Sequence, residues 1–165
     1  MIRKAKINDL DKIMEIIKLT VEEMRSYNNT QWDENYPQSK DFMEDIKKED
    51  LYVKDVNGEI YGFICVNYME PEEYKGLNWS SKEKAMIVHI MAVNPKFRNQ
   101  GIGIQLMQFA EKLAKENNIK YLKTDTYSIN IKMNSLFKKC GFQYIGEMTF
   151  LGKEKLFYCY DKIYT

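Results

Sequence analysis

The chain has 165 residues, 44% hydrophobic and 30% charged, and its 25 Lys and Arg against 24 Asp and Glu leave a net charge of +1. That length supports a core that needs no disulfide or metal to hold it, and the balanced charge gives no support to a nucleic-acid or membrane-binding surface. The three cysteines, Cys65, Cys140 and Cys159, are odd in number and widely spaced, and His89 is the single histidine. Neither a disulfide framework nor a zinc site is therefore expected, no metal is expected, and a reducing cytoplasm fits.

In chain order, residues 2–7 alternate weakly and predict an opening strand, after which Asn8 is placed to cap a helix with Asp11 reaching back. Leu10, Ile13, Met14, Ile17, Val21 and Met24 recur at helical spacing, a stripe that core packing explains. Residues 26–40 are polar, and a short helix from about 39 to 48 follows. Within that segment Trp32 and Tyr36 either cap the core or wall a substrate pocket. Residues 51–56, Asn57-Gly58 and 60–68 read as a hairpin with a type I′ turn. Residues 69–84 predict an exposed loop longer than a tight hairpin needs, either a cover for an acceptor or a passive insertion.

Residues 85–93 are apolar except for His89, a pattern for a central strand covered on both faces, and Pro95 stops it. Residues 102–117 then carry apolar side chains at helical spacing. The turn between them, Arg98-Asn99-Gln100-Gly101-Ile102-Gly103-Ile104, feeds the first turn of a helix, where amide N–H groups lack intrahelical partners and the dipole adds positive charge. Two glycines let a pyrophosphate approach the backbone, with Arg98 beside it. The motif is neither a dinucleotide-binding G-x-G-x-x-G nor a P-loop. Beyond it, residues 119–127 predict a strand and 130–139 a helix ending at Gly141. Residues 142–151 and 156–163 complete the set as two strands about a turn at 152–155.

Val93-Asn94-Pro95 followed by Arg-x-x-Gly-x-Gly resembles the acetyl-CoA pyrophosphate loop of the GCN5-related N-acetyltransferase (GNAT) family, and the element order resembles that family over essentially the full length. The resemblance implies a single domain over residues 1–165, an α/β (α+β) fold with a central, mixed, bent sheet and helices on both faces. It further implies direct transfer of an acetyl group from acetyl-CoA to a primary amine of a small molecule or peptide, with Ala92, Val93 and residues 98–104 holding the cofactor. Asn130, Leu136, Gly141 and Phe142 match a second family motif. Asn130 stands where the family binds the pantetheine arm, and it is equally a helix N-cap.

Two positions depart from the family pattern. Phe137, at a cofactor-lining position, replaces the tyrosine that protonates the leaving thiolate, which leaves Tyr127 as the candidate proton donor. Ile87 replaces a strand glutamate, and the resemblance to the arylalkylamine branch of the family then implies His89 as the candidate base, the other reading being a histidine satisfied within the core strand. A histidine ordinarily titrates near the operating pH and suits that role. A catalytically silent CoA-binding sensor and a protein-interaction module gripping through Trp32 and Trp79 remain as alternatives. Homodimers are frequent in the resembled family, and the acceptor is not legible.

Overall fold

The computed structural model describes residues 1–164. The strands are β1 (Ile2–Lys4), β2 (Leu51–Val56), β3 (Glu59–Asn67), β4 (Met86–Val93), β5 (Tyr121–Tyr127), β6 (Gln143–Met148) and β7 (Phe157–Ile163). The helices are α1 (Leu10–Ser26), α2 (Ser39–Lys47), α3 (Ile102–Glu116) and α4 (Ile131–Lys139). The strands form one mixed sheet in the order β1-β2-β3-β4-β5-β7-β6. Parallel pairing joins β4 to β5 through Met86–Val88 and Leu122–Thr124, whereas β1–β2, β2–β3, β5–β7 and β6–β7 are antiparallel.

Two compact units are present, one of Met1–Val66 with Ile90–Leu106, the other of Asn67–His89 with the chain from Met107 onward. In the first unit the helical stripe of α1 meets Phe42 of α2, Leu51 and Val53 of β2, Phe63 and Cys65 of β3, and Ile90 and Ala92 of β4. Phe42 stands edge-on to Phe63 at 5.4 Å between centroids. Burying each such side chain is worth roughly 1.5–3 kcal/mol against its exposure. Both central positions of the 57–58 turn have positive φ, 53° and 88°, as a type I′ hairpin requires.

The start of α1 corrects the expected cap. Neither Asn8 nor Asp11 supplies it. Ile7–Asp9 form a short 3-10 turn, and Asp9 accepts the Lys6 N–H at 2.7 Å. Both Asp9 oxygens are gripped by Arg3 at 2.8 and 2.9 Å, which holds that carboxyl below its usual range. The carboxylate one residue nearer the helix start reaches the open N–H of the extended residue before it, and an arginine on β1 supports it.

Gly62 of β3 sets how closely α3 approaches. A Cβ there would lie 2.8 Å from the Ala92 carbonyl oxygen, 3.1 Å from Leu106 Cδ1 and 3.3 Å from Ile102 Cγ2. The missing side chain lets the first turns of α3 settle on the strand.

In the second unit the segment expected to be an exposed loop is instead packed. Glu72–Gly76 is a 3-10 turn whose Tyr74 is fully buried. Tyr74 shares a core with Ile87, Tyr121, Tyr127, Phe157 and Cys159, and Leu77 and Trp79 pack against it. The Trp79 indole donates to the Tyr74 carbonyl at 2.8 Å, and the Ser80 N–H and hydroxyl donate to buried Asp161 at 2.8 and 2.9 Å. Three large side chains without strand or helix periodicity tie the segment into that core. Elsewhere in this unit Phe137 of α4 packs on Tyr160 of β7 at 5.4 Å and on Phe142 at 6.0 Å.

Candidate active site

The β4–α3 connection is fastened to β3 by one asparagine. The Asn94 N–H donates to the Tyr61 carbonyl at 2.8 Å, its side-chain amide donates to the Ile60 carbonyl at 3.1 Å, and its Oδ1 accepts the Lys96 N–H at 3.0 Å. Tyr61 and Phe97 stack at 3.8 Å with planes 10° apart. The chain then runs through Arg98 in an extended conformation, Asn99 at φ 62° and Gly101 at φ 74°. Gln105 N–H closes the first helical bond on the Gly101 carbonyl at 3.1 Å, so the amides of Ile102, Gly103 and Ile104 precede the intrahelical ladder. Nothing lies within 4 Å of where a Gly101 Cβ would stand. This is an open, positively polarised backbone cradle fit for an anion. Ala92 and Ile102 are buried, Val93, Gly103 and Ile104 partly buried, and Asn99, Gln100 and Gly101 exposed.

The Arg98 side chain is already engaged. Its Nη2 donates to Glu23 Oε1 at 2.6 Å and its Nε to Oε2 at 3.3 Å, both side chains being about one quarter exposed. Glu23 went unnoticed in the sequence because it lies on the polar side of α1, where any carboxylate looks solvated.

His89 occupies a polar corner of the second unit. Its Nε2 lies 2.6 Å from Asn67 Oδ1, and that oxygen also accepts the Met69 N–H at 2.9 Å. Since Asn67 Oδ1 faces the ring as an acceptor, the hydrogen-bond pattern assigns the ring proton to Nε2. Burial lowers the His89 pKa to about 4, against the opposing pull of a bond to the Met69 backbone. The expectation that it titrates near the operating pH is therefore corrected: desolvation penalises the imidazolium, and the ring is neutral at pH 7. Elsewhere in the same unit, Tyr74 donates to Asp125 Oδ2 at 2.6 Å, and burial raises that carboxyl to about 6. Among the described residues Lys123 of β5 pairs with Glu70 at 2.5 Å.

Tyr127 is buried in the core, and its hydroxyl oxygen accepts the Lys155 N–H at 3.0 Å, leaving its own proton to donate. Asn130 caps α4, its side chain accepting the Met133 N–H at 3.2 Å. Phe137 is buried against Tyr160 and Phe142. The residue that organises this corner is Asn134, whose amide nitrogen donates to the carbonyls of Tyr127, Ser128 and Asn130 while its oxygen accepts the Tyr160 hydroxyl. Sequence reasoning missed it, since an asparagine inside a short helix gives no signal of its partners.

Trp32 is 5% exposed and belongs to the core of the first unit, with Tyr36 packed against that core. Next to them a groove of about 530 Å³ runs between α1 and residues 33–39. Met14, Ile17, Val21 and Pro37 give it apolar surface, and its charged lining is Glu22, Asp33 and Glu34 against Lys18 and Arg25. No group of three or more metal-ligating side chains occurs among the described residues, and none of their helices is long and apolar enough to cross a membrane.

The profile of the Acetyltransferase (GNAT) family matches residues 15–142. An N-alpha-acetyltransferase of Sulfurisphaera tokodaii is 30% identical over 149 residues, covering 86% of this chain and 79% of that protein. A GNAT-family acetyltransferase of Streptococcus agalactiae superposes with a TM-score of 0.87 at 24% identity, covering 100% of this chain and 95% of its own. A Salmonella typhimurium protein solved with its cofactor acetyl-CoA superposes with a TM-score of 0.72 at 14% identity, covering 100% and 94%.

Proposed function

Because the chain belongs to the GNAT family and is an acetyltransferase, we propose that it moves the acetyl group of acetyl-CoA directly onto a primary amine of a small molecule or peptide. One observation carries the cofactor assignment. The turn through Asn99 and Gly101 holds the amides of Ile102, Gly103 and Ile104 ahead of the helical ladder, with open space over Gly101. Those donors suit a pyrophosphate, and the Arg98 guanidinium precedes them in an ion pair with Glu23 that fixes its position. Ala92, Val93, Gln100, Asn130 and Phe137 complete the cofactor-binding set carried over from the family resemblance.

Acetyl-CoA supplies an activated thioester, and the chain's own part is to hold, orient and move a proton. The new C–N bond forms as the C–S bond breaks. A cationic amine gives up one proton before it attacks and a second as the amide forms; the thiolate sulfur takes one up and the other leaves to solvent. His89 is our candidate for the first transfer, carried over from the family resemblance; the ring is neutral and able to accept, and the burial that lowers its pKa also weakens it as a base. Tyr127 is our candidate for protonating the thiolate, its O–H free to donate while its oxygen accepts from Lys155. The bond from Nε2 to Asn67 favours a second reading for His89, in which the ring pins the 67–69 turn.

We place the acceptor in the groove between α1 and residues 33–39, where Glu22, Asp33 and Glu34 against Lys18 and Arg25 leave a slight negative bias towards a cationic amine. Trp32 and Tyr36 act there as its packed support. The test is CoA release from acetyl-CoA against polyamines, arylalkylamines, amino acids and peptides. The wild type is compared with Gly101→Val, His89→Gln and Glu22→Gln. Gly101→Val is expected to raise the acetyl-CoA KM, because a β-branched side chain strains the positive φ and fills the cradle. Unchanged KM in that variant removes the cofactor assignment. A rate unaffected by His89→Gln leaves the imidazole its packing role.

A further inference from the structure

A cavity of about 410 Å³ opens in the second unit beside residues 77–83, lined among others by Glu70, Leu77, Trp79, Lys82, Glu83 and Lys123. Lys123 comes from β5, and the residue is 6% exposed. Its ammonium donates to Glu70 at 2.5 Å and lies 4.5 Å from the centre of the Trp79 ring and 5.5 Å from that of Tyr121. Lysines are almost never buried without a partner. The pair is lopsided, because the Lys123 side chain is 8% exposed and that of Glu70 is 39% exposed.

That asymmetry has a physical reading. Replacing a buried ion pair by hydrophobic residues of similar volume is often neutral or stabilising, so folding alone gives little reason for the charge at position 123. The ammonium is held by the strand and two aromatic faces, while its counter-charge sits on a half-exposed lining residue. Glu70 thus stands where the carboxylate of a ligand would stand.

The charges round the cavity also select. Lys82 and Lys123 balance Glu70 and Glu83, so a bare anion gains no net attraction and, on displacing Glu70, strands that carboxylate without its cation. A ligand that brings its own ammonium answers both charges at once, and Leu77 and Trp79 offer apolar surface beside them. We propose that this cavity binds a zwitterionic α-amino acid with an apolar side chain, its carboxylate on Lys123 and its ammonium on Glu70. The proposal requires neither acetyl-CoA nor turnover, and its outcome is independent of the acetyl-transfer reading.

Titration calorimetry of the full chain without acetyl-CoA tests it, using L-phenylalanine, L-leucine, 3-phenylpropionate and phenethylamine. At least one of the amino acids is expected to saturate the protein. Phenylpropionate and phenethylamine should bind at least about tenfold more weakly, each lacking one charge-assisted hydrogen bond. Lys123→Met should weaken the amino acid by a similar factor. Glu70→Gln, which removes the carboxylate's charge and keeps an amide oxygen to accept from Lys123, should erase the preference for phenylalanine over phenylpropionate. The idea fails if neither amino acid saturates at millimolar concentration, if phenethylamine matches phenylalanine, or if both variants bind as the wild type does.

Discussion

Replacing Gly62 by alanine probes how tightly the cofactor cradle is tied to the sheet. The added methyl carbon would stand 2.8 Å from the Ala92 carbonyl oxygen, 3.1 Å from Leu106 Cδ1 and 3.3 Å from Ile102 Cγ2. The two hydrocarbon tips can rotate by a few tenths of an ångström, but the carbonyl belongs to β4 and moves only with the strand. Overpacking of this kind costs about 1–3 kcal/mol, whereas trading glycine for alanine inside a strand returns about 0.5–1 kcal/mol. The clash wins, and Gly62→Ala should lose about 1–2 kcal/mol, a five- to thirtyfold change in the folding equilibrium. Urea unfolding measures it as a lower midpoint at unchanged slope. Because Ile102 opens α3, acetyl-CoA should also bind more weakly to the variant. Gly76→Ala is the control, since a methyl carbon there meets nothing within 4 Å, and it should stay within about 0.5 kcal/mol of wild type. A Gly62→Ala protein as stable as wild type, with undiminished acetyl-CoA affinity, would refute the reasoning.

Three further outcomes follow from the geometry. The His89 pKa falls from 6.5 to about 4 on folding, so the unfolded chain binds the extra proton between those values, and the ring's contribution is whole above pH 6.5 and lost as pH drops towards 4. The stability gap between wild type and His89→Gln, read by denaturant unfolding at several pH values, should therefore be flat above pH 7 and shrink by roughly 3 kcal/mol at acid pH. Asn134→Asp removes the donor to three carbonyls and should cost about 2–3 kcal/mol in thermal or chemical unfolding. Glu23→Gln and Arg98→Gln should lower stability alike, by about 0.5–1 kcal/mol, but Arg98→Gln should weaken acetyl-CoA binding more in direct titration; equal affinities would confine Arg98 to its ion pair.

The elements legible in the sequence are those whose signal is local. Asn57-Gly58 announces its hairpin because only such residues take two positive φ angles in succession, and the apolar run before Pro95 announces β4. The turn at Gly101 was readable for the same reason. What escaped is long-range. Tyr74, Leu77 and Trp79 follow no period, so their burial depends on a sheet face assembled from residues far along the chain. The anchoring of Arg98 by Glu23 and the Asn134 network needed the folded geometry too. So did the neutral state of His89, since the identity of a residue fixes its solution pKa and only its neighbours fix the shift. Position 9 was missed over a single residue: three acidic or amide side chains cluster at the start of α1, and Arg3 decides among them.

The sulfur chemistry of the molecule is muted. Cys65 sits in one core and Cys159 in the other, both nearly inaccessible, and burial raises both thiols, as it does that of half-exposed Cys140. Thiolate, the form that oxidants and alkylating agents attack, is scarce on this protein at neutral pH. During turnover the reactive sulfur in solution is therefore that of the released coenzyme, and a chromogenic disulfide reports product with little background from the catalyst.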